Sequence, residues 1–359
     1  MKMQIGISVG KVGAGVRATV SSALAAALLV VFWSASAAHA QHAGAFSRIG
    51  FGARGLALGN ALVADAMENG SPYYNPALAP RATSQNLQAS AALMSFDREL
   101  QFLQFATPLE PNAGVAGGLI HAGVSNIDGR DNSGYRTQTY STDEFAVFLA
   151  FGTHLSERLA AGIGLQLYRA DMYEGLDAIH TLGIDVGVTY RANDALQIGL
   201  AVDDLLARYS WDTSTLYGSG GTTTSDRFPV RLRVGGAYRL AGGRAQVLAE
   251  YESSFASSEY RIRSVEIVGD APQVVEQGER SSTYEGRLRL GAEYELSDVF
   301  TLRGGLDRLG TEAPSSLMPA AGFMISQPVG PLELNGEYAF VIEPYGTGSM
   351  HLITLRVFL

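Results

Sequence analysis

The sequence predicts an all-β transmembrane fold: an antiparallel outer-membrane β-barrel of about fourteen strands, with a short N-terminal plug, or hatch, segment. Three observations predict it. From residue 84 onward the chain falls into fourteen segments of about ten residues in which apolar and polar side chains alternate, the length and period of a tilted membrane strand. The links between these segments alternate between short and long. Beyond the first forty residues there is no apolar run of about eighteen, so no spanning helix is expected. A closed barrel is the other structure that pairs every backbone polar group inside hydrocarbon.

Residues 1–40 read as a secretory leader. Lys2, Lys11 and Arg17 stand with no acidic residue, an apolar core runs from Ala23 to Trp33, and Ala38-His39-Ala40 is a small-residue cleavage pattern. The chain has no cysteine, so a lipid-anchored lipoprotein, disulfides and thiolate metal sites are all excluded. Net charge is −9, and three units more negative without the leader's cations. That acidity argues against a nucleic-acid partner.

Residues 41–83 read either as a plug or as an ordinary loop leading into the first strand. Leu56, Leu58, Ala61, Leu62 and Ala66 recur at spacings of two to four, which fits a short buried helix better than a strand. Asn69-Gly70-Ser71-Pro72 is turn-forming, and Asn75-Pro76 makes a rigid corner because proline fixes its own torsion and keeps Asn75 out of the helical region.

Residues 84–359 supply the wall, with strands expected at 85–96, 99–107, 113–124, 143–152, 158–170, 179–191, 195–205, 229–240, 243–254, 284–296, 299–308, 318–326, 331–342 and 350–359. The links at 108–112, 153–157, 192–194, 241–242, 297–298 and 327–330 are tight. Those at 125–142, 206–228, 255–283, 309–317 and 343–349 are mostly longer and more polar, as in bacterial barrels with periplasmic turns and outer loops.

Parity assigns the faces, because a cation on the lipid side near mid-membrane costs about 2–4 kcal/mol. Val230, Leu232, Val234 and Tyr238 face out while Arg231, Arg233 and Arg239 face in; Val247, Ala249 and Tyr251 face out while Gln246, Glu250 and Glu252 face in. A two-residue turn at Ala241-Gly242 would oppose Arg233 to Glu250 and Arg231 to Glu252. A three-residue turn at 297–299 would pair Glu293 with Arg303 and Arg289 with Asp307. In 331–342, Leu332, Leu334, Tyr338 and Phe340 face out and Glu333, Asn335 and Glu337 face in. These inward charges read as pairing across the wall. Gly117-Gly118 weakens its strand and offers a kink, or else marks close packing against the plug.

No catalytic residue, cofactor or metal ligand set is implied. His42, His121, His154, His180 and His351 are scattered, and GxSxG and HExxH are absent. Gly218-Ser219-Gly220-Gly221 has no following lysine. Asp203-Asp204 reads as a solvated strand end rather than a cation site.

Gly52-Ala53-Arg54, Ala57-Leu58-Gly59-Asn60-Ala61, Ala64-Asp65 and Tyr74-Asn75-Pro76-Ala77-Leu78 together resemble the N-terminal pattern of the PorV/PorQ family, which belongs with the FadL-like outer-membrane barrels. The later blocks GIDVGVTYR, FPVRLRVGGAYRL, RLRLGAEYEL and HLITLRVF look like the same family's barrel. The resemblance implies a fourteen-stranded barrel with Arg54 and Asn75, Pro76, Ala77 and Leu78 in a plug within the lumen. It implies either of two functions. A PorV-like barrel would assist type IX secretion or the surface attachment of exported proteins, with secreted cargo and other type IX components as partners beside outer-membrane lipid. A FadL-like channel would take up hydrophobic small molecules, which would displace part of the plug and leave by a lateral opening at a kinked strand, such as Gly117-Gly118 would supply. The inward charges and the chain length point to the first, and a lumen filled by Arg and Glu pairs would count against the second.

Overall fold

The computed structural model describes residues 43–218, 223–268, 271–311 and 314–359. The expected leader and its cleavage point, His42, and Ser219-Gly220-Gly221 lie outside them. No described helix is long and apolar enough to cross a membrane.

Sixteen strands follow the N-terminal segment. They are β1 (Asn86–Leu93), β2 (Arg98–Leu109), β3 (Ala113–Arg130), β4 (Arg136–His154), β5 (Leu159–Asp171), β6 (Ile179–Arg191), β7 (Leu196–Leu205), β8 (Arg208–Asp212), β9 (Thr223–Arg227), β10 (Val230–Leu240), β11 (Ala245–Val268), β12 (Ala271–Ser297), β13 (Phe300–Leu309), β14 (Met318–Val329), β15 (Leu332–Ile342) and β16 (Ser349–Phe358). Each wall strand pairs antiparallel with its neighbours, β1 with β16 from Asn86↔Phe358 and β10 with both β7 and β11. β8 and β9 form a hairpin that pairs with the wall at Ser258↔Asp226 and bonds to it through Arg208 to Thr181 and Tyr209 to Glu144. The other fourteen strands close the barrel.

Burial follows the two-residue period in the clearest strands, as in β1, where inward and outward positions alternate along the whole strand. Leu103, Phe105, Leu149, Ile163, Val234, Tyr238 and Val247 are exposed on the apolar outer face. Arg231, Arg233, Gln246, Glu250, Glu252, Arg289, Glu293, Asn335 and Glu337 are buried inside, on the side parity assigns them. Glu333, placed inward by the same rule, is exposed at the short-turn rim.

The links differ from expectation in two ways. The stretches 125–142 and 255–283 are mostly strand rather than loop, because the ladder continues past the ten or so residues a membrane crossing needs. β11 and β12 stay in unbroken register from Ala245↔Tyr294 to Val268↔Ala271. The β10–β11 turn has four residues, Ala241 to Arg244, with positive φ of 51°, 69° and 98° at Ala241, Gly242 and Gly243. It is therefore not a two-residue turn, and the register moves by two: Arg233 faces Glu252 and Arg231 faces Ser254. A shift by two keeps every side chain on its own face, so the inside-outside assignment stands. Glu293 does pair with Arg303 across β12–β13, and the same register, before it shifts between Leu290 and Leu288, sets Arg289 beside Asp307.

The segment from Ala43 to Ala82 runs through the lumen. A 3₁₀ turn at Ala45–Arg48 is followed by one α-helix, α1 (Gly52–Ala57), and by a second 3₁₀ turn at Pro76–Arg81. Phe51, Leu56, Leu58, Leu62, Val63 and Leu78 are almost wholly buried, so the plug is the centre of the hydrophobic core. The wall admits it through a belt of inward-facing glycines, Gly114, Gly152, Gly162, Gly187, Gly199, Gly235, Gly291, Gly305 and Gly322. A Cβ on Gly162 would stand 2.6 Å from the Ala77 nitrogen, and one on Gly291 2.6 Å from the Leu58 oxygen. Plug backbone lies against wall backbone at these points, with no space for a side chain.

Candidate functional site

The inner wall divides into a charged sector, which grips the plug, and an aromatic sector.

The charged sector spans β7, β10–β13, β15 and β16. Arg233 reaches Asp203 at 2.6 Å and Arg231 reaches Asp204 at 2.9 Å. Arg289 meets Glu252 at 2.8 Å and Asp307 at 3.1 Å and also bonds Glu250; Arg303 meets Glu293 at 3.2 Å and Glu337 at 2.9 Å. Arg231, Arg233, Glu250, Glu252, Arg289 and Asp307 thus share one network, and Glu293 and Arg303 a second with Glu337, with two changes from the expected pairs. Glu250 and Glu252 lie 3.8 Å and 3.9 Å from Arg233 and Arg231, whose near partners are on β7. Asp203 and Asp204 are not a solvated strand end, being 2% and 1% exposed. Consecutive residues of a regular strand point to opposite faces. Here a register shift between Ile184 and Val186, with Asp204 at φ 61°, turns both carboxylates inward.

Plug and wall share these charges. Arg54 of α1 binds Asp65 through two bonds of 2.5 and 2.9 Å and Glu293 through bonds of 2.7 and 3.1 Å. The Gln246 amide donates to both carboxylates at 2.9 Å. The Val63 N–H donates to Glu250 at 2.8 Å, and Arg233 donates to the Tyr74 carbonyl at 2.5 Å. The wall carboxylates and guanidiniums therefore satisfy plug backbone as well as one another.

Asn75 fixes the corner that follows. Its Oδ1 accepts from the Ala77 N–H at 3.0 Å and its Nδ2 donates to the Val63 carbonyl at 2.7 Å, while Pro76 opens the 3₁₀ turn at a position that needs no N–H. Ala77 and Leu78, fully buried, follow it past Gly162 and Gly152.

Burial pushes the Asp65 carboxyl up, and the Arg54 guanidinium and Gln246 amide pull it down, leaving it below the usual aspartate range. A depressed folded value gives stability that is fully present above the unfolded pKa of about 3.9 and is lost as pH falls through the folded value. The Arg54–Asp65 pair is therefore expected to hold its share of plug stability from neutral pH down to about pH 4. Limited proteolysis of the plug across that range measures it; cleavage already rising at pH 5 would contradict it.

The aromatic sector lies on β2–β5, where Leu100, Phe102, Ile120, Ala146, Phe148 and Tyr168 face inward. Phe51 of the plug packs on Phe102 and Phe148 at centroid distances of 4.9 and 5.5 Å, and Tyr73 on Phe148 at 5.3 Å. Toward the long-hairpin end, Phe46 meets Tyr168 at 6.2 Å, and Phe228 meets Tyr168 and Tyr209 at 4.7 and 4.8 Å. Parity reading missed this sector because strands such as β2 are apolar on both faces, with Leu100 and Phe102 in and Leu103 and Phe105 out.

Gly118 faces this sector and Gly117 the outer face beside Leu149, and the two do not form a kink. The ladders to β2 and β4 run through them without a register shift. Close packing against the plug does not apply either: a Cβ on Gly118 would overlap the Phe148 ring of the wall, and one on Gly117 would meet Leu149.

Among the described residues no group of acids and histidines is arranged to hold a metal. His121 bonds Gln101 and Asp143 toward the long-hairpin rim.

No family model and no curated protein matches the sequence. The PorV/PorQ resemblance therefore gains no support from either comparison. Solved structures do match, each over 86% of this chain. A FadL homologue of Pseudomonas aeruginosa is 10% identical with a TM-score of 0.55 and 98% of its own chain covered. The Pseudomonas putida toluene transporter TodX is 14% identical with a TM-score of 0.53 and 97% covered, and the CymD monoaromatic hydrocarbon channel is 13% identical with 0.53 and 96%. The chain shares with them a closed fourteen-strand FadL-like barrel fold.

Proposed function

We propose that the protein is an outer-membrane channel for hydrophobic small molecules, with its short turns on the periplasmic side. The observation that carries this reading is the aromatic sector, a continuous apolar strip from Tyr209 and Phe228 through Tyr168 and Phe148 to Phe102 and Phe51. The fold likeness to channels named for toluene and monoaromatic hydrocarbons supports it. The charged sector counts less against uptake than the sequence suggested, because its groups bind each other and the plug, and they meet the strip where the Tyr168 hydroxyl donates to Asp204 at 2.6 Å. A nonpolar guest entering the strip would exchange ring contacts with Phe46 and Phe51 for its own without breaking an ion pair. The type IX reading rests on sequence resemblance alone, and no catalytic step is proposed.

Cells with no hydrocarbon channel of their own, expressing the full chain, are expected to take up labelled toluene several times faster than vector controls. Replacing Phe148 and Phe102 with Asp is expected to remove the gain. Equal uptake with and without folded protein in the outer membrane would overturn the proposal.

A further inference from the structure

The side chain of Tyr209 is itself a phenol, seated on the long-hairpin end of the aromatic strip. Its ring is buried and meets Phe228 edge-on at 4.8 Å, and its hydroxyl donates to the Glu144 carboxylate at 3.0 Å. Among the described residues that is the one hydrogen bond Glu144 accepts through its side chain, and Glu144 lies in no ion pair. Asp203, Glu252, Glu293 and Glu337 of the charged sector, by contrast, each meet an arginine. Arg48 of the plug is the cation that acts on Glu144, and its guanidinium donates to the Ala43 carbonyl at 2.9 Å.

Tyr168 makes a similar bond, to Asp204, but it stands on β5, which is paired on both sides and holds it in place. Tyr209 stands on β8, whose hairpin with β9 has five residues a side. Besides the Tyr209 bond, that hairpin is held by the Ser258↔Asp226 pair, by Arg208 to Thr181 at 3.1 Å and by the Ala43 N–H to Asp226 at 2.9 Å. A two-stranded hairpin is marginally stable by itself, so Tyr209 leaves its seat far more readily than a wall residue does. The ladder neighbours of Glu144 are Ala122 on β3 and Ala170 on β5, both too short to cover its carboxylate.

We infer that Glu144 makes the channel selective for aromatic molecules that carry a hydroxyl, phenols above plain hydrocarbons, and that such a guest takes the seat of Tyr209. The ring of a simple alkylphenol replaces the Tyr209 ring against Phe228, and its hydroxyl donates to Glu144 as the Tyr209 hydroxyl does. A hydrogen bond to a carboxylate is stronger than one between neutral groups. A guest without a donor leaves that carboxylate unpaired in apolar surroundings once Tyr209 has moved, which costs free energy. The inference deepens the channel reading and rests on it for the supply of guest from the long-hairpin side.

Equilibrium dialysis of the purified, detergent-solubilised barrel with labelled p-cresol tests it, with equal detergent on both sides and toluene as the analogue that lacks the hydroxyl. Saturable p-cresol binding is expected, about tenfold tighter than toluene binding. E144L is expected to remove that margin, and E144Q, which keeps an acceptor, to retain part of it. Y209F deletes the competing hydroxyl and is expected to tighten p-cresol binding several-fold. Heat-dependent gel migration confirms that each variant is a folded barrel. No saturable p-cresol binding, equal binding of p-cresol and toluene, or a margin untouched by E144L overturns the inference. Binding unchanged in Y209F overturns it too, by putting the phenol elsewhere than this seat. Absent toluene uptake by cells would strike the channel reading alone, because binding to the purified barrel needs no passage.

Discussion

Replacing Arg54 with alanine is expected to cost about 3–5 kcal/mol, because it leaves Asp65 wholly buried without a cation and takes one of two cations from Glu293. On a barrel of this size that corresponds to a fall of about 10 °C in the melting midpoint. The loss falls on the plug first, since Arg303 still holds Glu293 to the wall at 3.2 Å while Asp65 keeps only the Gln246 amide and its neighbouring backbone. Planar-bilayer conductance of R54A is therefore expected to rise while the barrel stays folded. The triple variant R54M/D65N/E293Q removes the charges together and is expected to recover most of the lost stability, because breaking a buried pair costs more than deleting it. An unchanged midpoint in R54A, or a triple variant no better than the single one, would sink this account of the plug's anchor.

The second large effect is expected at the glycine belt. Leucine at Gly162 or Gly199 would bring a Cβ to 2.6 Å from the Ala77 nitrogen or 2.8 Å from the Ala64 Cα. Overpacking costs about 1–3 kcal/mol where side chains can shift and more where backbone meets backbone. β5 and β7 are paired on both sides, so the plug gives way before the wall does. Ion conductance and sensitivity to bulky antibiotics are expected to rise about tenfold or more in G162L and G199L. G336L is the control, since nothing lies within 4 Å of the Cβ it adds. A G162L barrel that conducts no more than wild type would show that the belt does not seat the plug.

The wall could be read from the sequence because a membrane barrel enforces a strict period. Arg231, Arg233, Arg289 and Glu293 cannot face lipid, so their parity fixes inside and outside for whole strands. Register was less legible: the turn at Ala241 to Arg244 adopts positive φ at three successive positions, which its composition did not announce. Asp203 and Asp204 escaped because a bulge breaks the period itself. Phe102, Phe148 and Tyr168 escaped because hydrophobicity carries no parity in a strand apolar on both faces. The plug was legible as a departure from alternation, and Asn75-Pro76 as its corner. The sequence did not show that Val63, Leu58 and Ala77 would find glycines waiting in the wall, since those pairings join residues more than eighty positions apart.

The plug touches the wall from β1, where Gln88 lies against Gly52, to β16, where Thr354 accepts from the Ala53 N–H at 2.9 Å, and the ring is completed only where these first and last strands of the chain meet. No early fragment of the barrel offers a finished seat. Synthesis delivers the plug first and its last supporting strands near the end, so the polypeptide must keep an apolar N-terminal stretch from aggregating until the wall has wrapped around it. Native contacts are dominated by distant partners, which makes such assembly slow. Ring closure and plug insertion are thus one kinetic event, and both ends of the chain have to be kept from aggregating until it occurs.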